Sequence, residues 1–429
     1  MPVERELEDV RRSLRGLDSS LLRELDRRAE AAREKKAAYS LDIDLRAFHE
    51  GEAVARTDSL EALPDEVKAV MLASGVDPSE SGRAGSYVQV GKNVIYERVN
   101  QIYSGKLEIM DVGDALEKYP DVRDLWWTVV APDQDKYTAF SQLHDVHGYF
   151  VRVFEGQEVE LPVQSCLLLH ENAEVQNVHN IVILEKGSSA HLISGCTTSP
   201  RVKTGLHIGI SEFFVRPGAK LTFTMVHNWG PEFHVRPRSG ALVEEGGTFI
   251  SNYVLLKPVK SLQTYPVAYL RGRGSRAVFN TLIYGLENSH IDAGSKIVLE
   301  GEDSSGEAVS RAIAQDKSVV YARGTLLARQ NRSRAHLDCR GIVFGDEAQM
   351  FAIPELESEG APQSLLSHEA AIGPISEEEV EYLMARGIPR DEAVSLITRG
   401  FLDVRIMGLP QALESAIRKM VEITQRESM

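Results

Sequence analysis

Short β-rich segments follow one another from residue 150 to residue 352, and no helix-length apolar period lies between them. Polar residues followed by a glycine separate many of these segments, and the glycines stand at Gly187, Gly218, Gly247, Gly274, Gly294 and Gly345. Counted from Gly187, the first gaps are 31, 29 and 27 residues, and the next is 20. A strand pattern that recurs every ~20 to 50 residues is typical of folds in which each repeat stacks on its neighbour.

Evenly spaced strands without helical crossovers can form a sandwich, a barrel or a solenoid. About 200 residues of strand exceed what one sandwich usually holds, which favours a solenoid coiled as a parallel β-helix. Strand alternation then predicts Val, Ile and Leu inside each turn, with Arg, Lys, Glu and His outside. We therefore predict a mainly β protein built around a β-helix.

Both ends of the chain are predicted to be helical. Apolar residues recur at three- and four-residue spacing near the start, at Leu7, Val10, Leu14, Leu17 and Leu21. This stripe predicts a helical hairpin that packs on its own chain, with a self-association helix as the alternative. Near the other end Ser376 and Glu379 form a capping box, and a last helix is expected over 413–423.

These patterns divide the chain into three predicted domains. They are an N-terminal helical and mixed domain at 1–134, the β-helix core at 135–358, and a C-terminal helical domain at 359–429.

Composition excludes several classes of protein. The formal net charge is −15, which argues against duplex nucleic acid or an anionic membrane as a partner. No apolar run approaches the roughly 18 residues that cross a bilayer, and the charged N-terminus does not resemble a signal peptide. Three widely spaced cysteines without a CxxC pair exclude a disulfide framework and a four-cysteine zinc site within one chain. We expect a cytoplasmic protein with reduced thiols.

A nucleotide site is not predicted. The segment GSYVQVGKN at 85–93 resembles a phosphate-binding loop, but it has five residues between its glycines and Asn in place of Ser or Thr. If the protein works with ATP, we expect another chain to hydrolyse it.

Histidines are frequent in the β-rich region. The pair His144 and His147 lacks a third partner in sequence, and locally hydrogen-bonded imidazoles are the simpler interpretation. Six more lie on separate predicted strands: His170, His179, His191, His207, His227 and His234. A β-helix can bring residues of successive turns together, so a stacked metal site is left open.

The densest set of chemically active side chains lies near the end of the β-rich region: His336, Asp338, Cys339, Glu355, Glu357, His368 and Glu369. Thiolate, imidazole and carboxylate together suit iron or zinc. In an extended strand Cys339 shares a face with Leu337, and His336 points the other way. The alternative is that Cys339 is a small buried hydrophobe, and this interpretation is stronger for Cys166 and Cys196.

The chain resembles the SufB/SufD family of iron–sulfur cluster assembly scaffolds, and it is closer to SufB than to SufD. The matching pieces, in order, are PDEVK at 64–68, VIY at 94–96, MDVGDALEKYP at 110–120, TVV at 128–130, GYFV at 148–151, ELPVQ at 160–164, GCT at 195–197, NW at 228–229, DAGSK at 292–296, YARG at 321–324, SHEA at 367–370, ISEE at 375–378, RGI at 386–388 and ITRGF at 397–401. Any one piece is weak, but their order along the chain makes the resemblance specific.

The resemblance implies a right-handed parallel β-helix flanked by helical domains. It implies a scaffold rather than an enzyme, one that holds a transient iron–sulfur cluster and passes it to apo-proteins. Two such chains pair through the ends of their β-helices, either as a homodimer or with a SufD-like subunit. A SufC-type ABC ATPase docks on the C-terminal helices and hydrolyses ATP.

The resemblance also implies roles for four residues. Cys339 matches the cysteine used for cluster assembly, Glu369 its carboxylate partner, and His368 the neighbouring histidine. Cys196 matches an internal cysteine implicated in sulfur transfer. One Cys, one Glu and one His cannot surround a cluster that usually takes four ligands, whereas two chains related by a two-fold axis supply two of each. The cysteine cluster near the N-terminus of many SufB chains is absent here.

Two other functions stay open at this point. A β-helix also hosts carbohydrate-active enzymes, although most are secreted, and fold alone does not assign function. A structural β-solenoid that polymerises would leave Cys339 as inert core.

Overall fold

A computed structural model describes residues 14, 16–39 and 41–402. The predicted helix at 413–423 and the first two residues of the N-terminal stripe, Leu7 and Val10, lie outside the described residues. The helices are α1 Ser19–Ala31, α2 Asp65–Ala73, α3 Val112–Lys118, α4 Pro120–Leu125, α5 Lys136–Leu143, α6 Glu377–Met384 and α7 Arg390–Leu402.

Within the described residues, twenty strands form two long sheets. The strands are β1 Gly85–Val90, β2 Asn93–Val99, β3 Leu107–Asp111, β4 Tyr149–Val153, β5 Val163–Leu169, β6 Glu174–Leu184, β7 Ser189–Thr198, β8 Thr204–Val215, β9 Lys220–Asn228, β10 Glu232–Val243, β11 Thr248–Leu255, β12 Ser261–Thr264, β13 Val267–Leu270, β14 Arg276–Gly285, β15 His290–Leu299, β16 Ser305–Ala314, β17 Val319–Ala328, β18 Arg334–Val343, β19 Gln349–Ser358 and β20 Leu365–Gly373.

The chain alternates between the sheets as it advances. The first sheet has the order β2-β1-β5-β7-β9-β11-β14-β16-β18-β20, and the second runs β3-β4-β6-β8-β10-β12-β15-β17-β19, with β13 pairing β10 and β15. From β4 and β5 onward every pairing within a sheet is parallel. One strand from each sheet therefore makes one turn of a coil with about eight turns. The predicted parallel β-helix with flanking helices is confirmed.

The repeat in the sequence is the length of one turn. Residues paired across neighbouring turns are 27 to 31 positions apart, for example Cys196 with His227 in β9. Gly187, Gly218, Gly246 and Gly274 occupy the same corner of successive turns with positive φ, and the predicted Gly247 lies one residue beyond it. Asp303 and Arg332 hold that corner in the next turns, also in the left-handed region (φ 58° and 60°).

One predicted turn is wrong. Gly294 lies inside β15, where Arg323 in the next turn packs against it, and the corner falls at Asp303 instead. The glycine signal is lost there because a non-glycine residue has taken the left-handed conformation at the corner.

Inward-facing apolar side chains fill the coil. Phe213, Phe223, Phe249 and Phe279 pack edge to face or tilted, with ring centroids 4.7 to 6.0 Å apart. All four are buried, and each belongs to a different turn or sheet. The interior therefore has the close packing of a globular core rather than that of an open channel at this point.

Helices cover part of the outside. Helices α1, α3 and α5 contribute to an apolar cluster against the second sheet, which contains Leu25, Leu116, Tyr137 and Ile208. Helix α2 brings Met71 against Cys166 and Leu168 of the first sheet. At the other end of the chain, Phe401 and Leu402 of α7 pack near Leu282 and Ile313.

A buried carboxylate ties the N-terminal region to the coil. The Glu212 carboxylate accepts backbone hydrogen bonds from Trp127, Val129 and Val130 at 2.6 to 3.1 Å and contacts His179 at 2.9 Å. Because these donors satisfy a fully buried carboxylate, the loop that contains Trp127, Val129 and Val130 is held firmly against β8.

Rows of alternating charge run along one corner of the later turns. Arg271, Glu300, Arg329 and Glu359 form one such row, with N–O distances of 2.9 to 3.1 Å. Each residue lies one turn beyond the previous one, so the row links turns that are distant in sequence.

The two ends of the coil differ. At the first end the outermost strands β2 and β3 are antiparallel to their neighbours and interrupt the parallel stacking. At the other end β19 and β20 are the last strands, and no described strand pairs with their outer edges. The described chain therefore has one end of the coil at which both sheets stop in parallel strands.

The predicted domain boundaries stay a prediction. Strands of the coil lie on both sides of them, since β1, β2 and β3 precede residue 135 and β20 follows residue 358. Among the described residues, no helix combines the length and apolar character needed to cross a membrane.

Replacing Phe249 with Ala is expected to lower the free energy of unfolding by about 3–5 kcal/mol, because the ring leaves a cavity between Phe213 and Phe279. Urea unfolding followed by circular dichroism measures this loss. The matched control is Phe351→Ala in β19, whose side chain is 41% exposed, with an expected loss of about 1 kcal/mol or less. Equal losses in the two variants would contradict the packed interior.

Candidate functional site

Cys339 lies on β18, one strand inside the open end of the coil. Its side chain faces inward together with Leu337, and both are 1% exposed. His336 and Asp338 are less buried and face outward, as the alternation predicts. Only β20 separates this strand from the edge of the sheet.

The Cys339 thiol is held in its protonated form. Burial raises its pKa to about 11, and the negative charge of Asp338 acts in the same direction. Arg311 partly opposes both effects. The thiol is therefore not an activated nucleophile in this conformation, since reactive cysteines have lowered pKa values.

His368 and Glu369 are adjacent on β20 but point to opposite sides of the sheet. His368 pairs in register with the inward-facing Leu337, and Glu369 pairs with the outward-facing Asp338. The structure therefore gives Cys339 and His368 the same inner face and excludes Glu369 from it. The Nε2 atom of His368 is buried and has no hydrogen-bond partner.

Glu369 belongs to a chain of ion pairs on the outer face. Its carboxylate contacts Arg340 at 3.1 Å, Arg340 contacts Asp338 at 3.1 Å, and Asp338 contacts Arg311 at 2.6 Å. Burial alone would raise the pKa of Asp338, but the two arginines lower it overall. The contact with Arg340 uses one carboxylate oxygen of Glu369, and its side chain is 61% exposed.

The other residues of the predicted cluster do not converge on Cys339. His336 makes a 2.8 Å hydrogen bond to Ser367 on the outer face, and Glu355 accepts one from the Thr325 hydroxyl at 2.6 Å. Glu357 is exposed on β19.

A second thiol lies deep inside the coil. Cys196 on β7, His207 on β8 and His227 on β9 each offer one donor atom, and these three atoms lie within 4.8 Å of one another. Sequence reasoning named all three residues but could not group them, because they belong to two sheets and two neighbouring turns. Cys166 lies on the opposite face of the first sheet, against Met71.

The remaining histidines make local contacts. His147 contacts Asp111 at 3.2 Å, and His144 contacts the Phe140 carbonyl at 2.9 Å. On the strands, hydrogen bonds join His179 to Glu212, His191 to Thr224, and His234 to Ser261. These contacts agree with the simpler interpretation of locally bonded imidazoles.

Comparison with known proteins supplies the family. The family pattern described as "SUF system FeS cluster assembly, SufBD core domain" matches residues 167–401, which is more than half of the chain. This chain belongs to the SufBD family. The match includes Cys196 and runs through Cys339, His368 and Glu369.

Relatives extend the similarity over nearly the whole chain. An iron–sulfur cluster assembly SufBD family protein of Methanothermobacter thermautotrophicus is 44% identical over 410 residues, covering 94% of this chain and 99% of the relative. A SufBD family protein of Archaeoglobus fulgidus is 47% identical over 353 residues, covering 82% and 94%. The iron–sulfur cluster assembly protein SufB of Bacillus subtilis is 25% identical over 378 residues, covering 86% and 80%. The SufBD membership inferred from the sequence pieces is confirmed.

Because the folded-state pKa of Cys339 is about 11, its thiolate should be absent from the native protein at pH 9. The difference in absorbance at 240 nm between wild type and Cys339→Ala measures the amount of Cys339 thiolate. We expect no difference from pH 7 to 9 in native protein and a normal thiol titration near pH 8.5 in guanidinium. Since the unfolded thiol ionises first, this group stabilises the fold fully below about pH 8 and progressively less as pH rises toward 11. A native thiolate signal below pH 9 would contradict the buried placement.

Proposed function

We propose that this SufBD family protein is the scaffold on which a nascent iron–sulfur cluster is built and then released to apo-proteins. The observation that carries the proposal is the position of Cys339, an inward-facing thiol one strand from the only end of the described coil where both sheets stop in parallel strands. The cluster is cargo, so the protein needs a site that can open. We propose that the protein is cytoplasmic and is not itself an enzyme.

Cluster ligation is assigned to Cys339, His368 and Glu369. Cys339 and His368 share the inner face near the open end, and the unpartnered Nε2 of His368 is available to a metal. Glu369 lies on the outer face of β20. It reaches the same cluster only if β20 twists, or if the outer face of β20 in the partner chain lies toward the cluster. Mixed sulfur, nitrogen and oxygen ligation binds a cluster less firmly than four thiolates, which suits transfer.

Pairing through the open end supplies the missing ligands. Leu356 on β19 and Ile372 on β20 are 42% and 39% exposed, although their positions continue inward-facing rows. Stacking a second coil on this end would bury them and satisfy the free strand edges. The occupant is a second copy or a SufD-like subunit, and a two-fold axis brings both sets of ligands together.

We assign the docking site of a SufC-type ABC ATPase to the C-terminal helices α6 and α7. Tyr382 and Met384 of α6 and Leu396 of α7 are exposed apolar side chains on these short helices. Helix α7 also packs on the first sheet through Phe401 and Leu402, so movement of the helices would be felt by the coil. ATP-driven closure of two ATPase subunits would then shear the interface between coils and open the Cys339 site.

Cys196 is assigned to sulfur transfer. Its Sγ lies 3.4 Å from the Met225 Sδ. Residues in register with Met225 on the following turns are Tyr253, Thr281, Ser310 and Cys339. This inward-facing row of polar and sulfur-bearing side chains supports a route along the coil between the two thiols.

Anaerobic reconstitution with iron and sulfide tests the assembly site. Wild-type protein with its ATPase partner is expected to develop broad visible absorption, and Cys339→Ala is expected to lose at least about nine-tenths of it. The matched control is Cys166→Ala, which removes a buried thiol from the outer face of the sheet and should retain the colour. Equal colour in Cys339→Ala and wild type would remove Cys339 from the proposal.

Charge placed at the open end tests the pairing surface. The double variant Leu356→Asp and Ile372→Asp is expected to raise the dissociation constant of the dimer at least a hundredfold, about 2.7 kcal/mol, because four carboxylates would be buried without partners. Sedimentation equilibrium measures the change. Leu72→Asp on α2, at a side chain 52% exposed, is the control and should leave the dimer intact. An unchanged dimer in the double variant would place the interface elsewhere.

A further inference from the structure

The interior trio of Cys196, His207 and His227 is the most concentrated set of metal-binding donors among the described residues. The three residues are 0%, 1% and 2% exposed, and their donor atoms lie within 4.8 Å of one another. A tetrahedral ion with bonds of about 2.0–2.3 Å holds its donors roughly 3.5 Å apart. The three donor atoms would therefore move only about 1 Å closer together to bind such an ion.

Hydrogen bonds fix the tautomer of the His207 ring. The Gln176 side-chain nitrogen donates to the Leu168 carbonyl at 3.2 Å, so its oxygen faces His207. That oxygen accepts from Nδ1 of His207 at 2.9 Å. The proton is then on Nδ1, and Nε2 carries the lone pair, which is the arrangement seen in metal-binding histidines.

His227 supplies a second, independent observation. Its Nδ1 contacts the Tyr253 hydroxyl at 2.8 Å, whereas its Nε2 is buried and has no hydrogen-bond partner. A buried polar nitrogen without a partner is costly, and such atoms call for an explanation. A metal ion bound to Nε2 would satisfy it.

Two neighbours shape the space around the donors. A Cβ at Gly209 would lie 2.7 Å from Nε2 of His207, so the glycine leaves this atom free. The Met225 Sδ lies 3.4 Å from the Cys196 Sγ and offers a thioether as a fourth donor.

We propose that Cys196, His207 and His227 form an internal binding site for a single thiophilic transition-metal ion. The donor set of one thiolate, two imidazoles and a nearby thioether suits Zn²⁺, Fe²⁺ or Cu⁺ rather than Mg²⁺ or Ca²⁺. The ion would displace the thiol proton of Cys196 and leave both imidazoles neutral. A monovalent ion would give a site with no net charge, which favours Cu⁺ in this buried position.

The internal site is distinct from the Cys339 site. Five turns separate β7 from β18, which is about 24 Å at the usual strand spacing of ~4.8 Å. The inference does not depend on cluster assembly or on sulfur transfer, because it concerns binding of a bare ion.

Cobalt and copper are suitable probes. Because the site is buried, full-length protein is expressed in minimal medium that contains Co²⁺, so that the ion can bind during folding. In a separate experiment, metal-free protein is titrated with Cu⁺ in competition with bicinchoninate. We expect one ion per chain with at least one probe. For Co²⁺ the expected signature is a thiolate charge-transfer band in the near ultraviolet with tetrahedral bands in the visible region.

Variants separate this site from the other thiols. Cys196→Ser and His227→Gln are expected to weaken binding at least a hundredfold, whereas the matched control Cys166→Ser should bind as wild type does. Gly209→Ala changes no donor but crowds Nε2 of His207, and it should weaken binding at least tenfold if the other variants fail to fold. Failure of both ions to bind at one per chain, or equal binding in Cys196→Ser, would overturn the proposal. If the wild-type protein binds the ion but does not assemble a cluster, the result counts against the scaffold function and not against the internal metal site.

Discussion

Parallel stacking of one turn on the next governs this structure. Each turn satisfies the backbone groups of its neighbours, so the hydrogen bonding continues until the coil ends, and an end must be reversed, covered or paired. The antiparallel strands β2 and β3 reverse the first end. Strands β19 and β20 leave the other end unpaired in the described chain, and Cys339 lies one strand from it. The placement of the candidate site follows from how the coil stops.

Much of the fold follows from local rules in the sequence. The spacing of Gly187 and Gly218 predicts the length of a turn, because both hold a left-handed corner that favours glycine. Strand alternation correctly put Cys339 on the face of Leu337 and away from His336. The signal failed where Asp303 took the left-handed corner, and Gly294 was then mistaken for a turn.

The candidate sites were less predictable because they depend on pairing between turns. His368 and Glu369 are sequence neighbours that face opposite sides, and only the register of β20 with β18 shows which of them joins Cys339. Cys196 and His227 are in register on neighbouring turns, but His207 reaches them from the second sheet. Sequence spacing alone carries no information about this third contact.

The corner rows of alternating charge have a consequence for the durability of the coil. Arg271, Glu300, Arg329 and Glu359 are largely at the surface, so dissolved ions screen their attraction at a Debye length of only ~3 Å in 1 M salt. The interior aromatic packing between earlier turns is not weakened in this way. Rising ionic strength should therefore weaken the links between the later turns along this corner, while their buried apolar interior continues to hold them together.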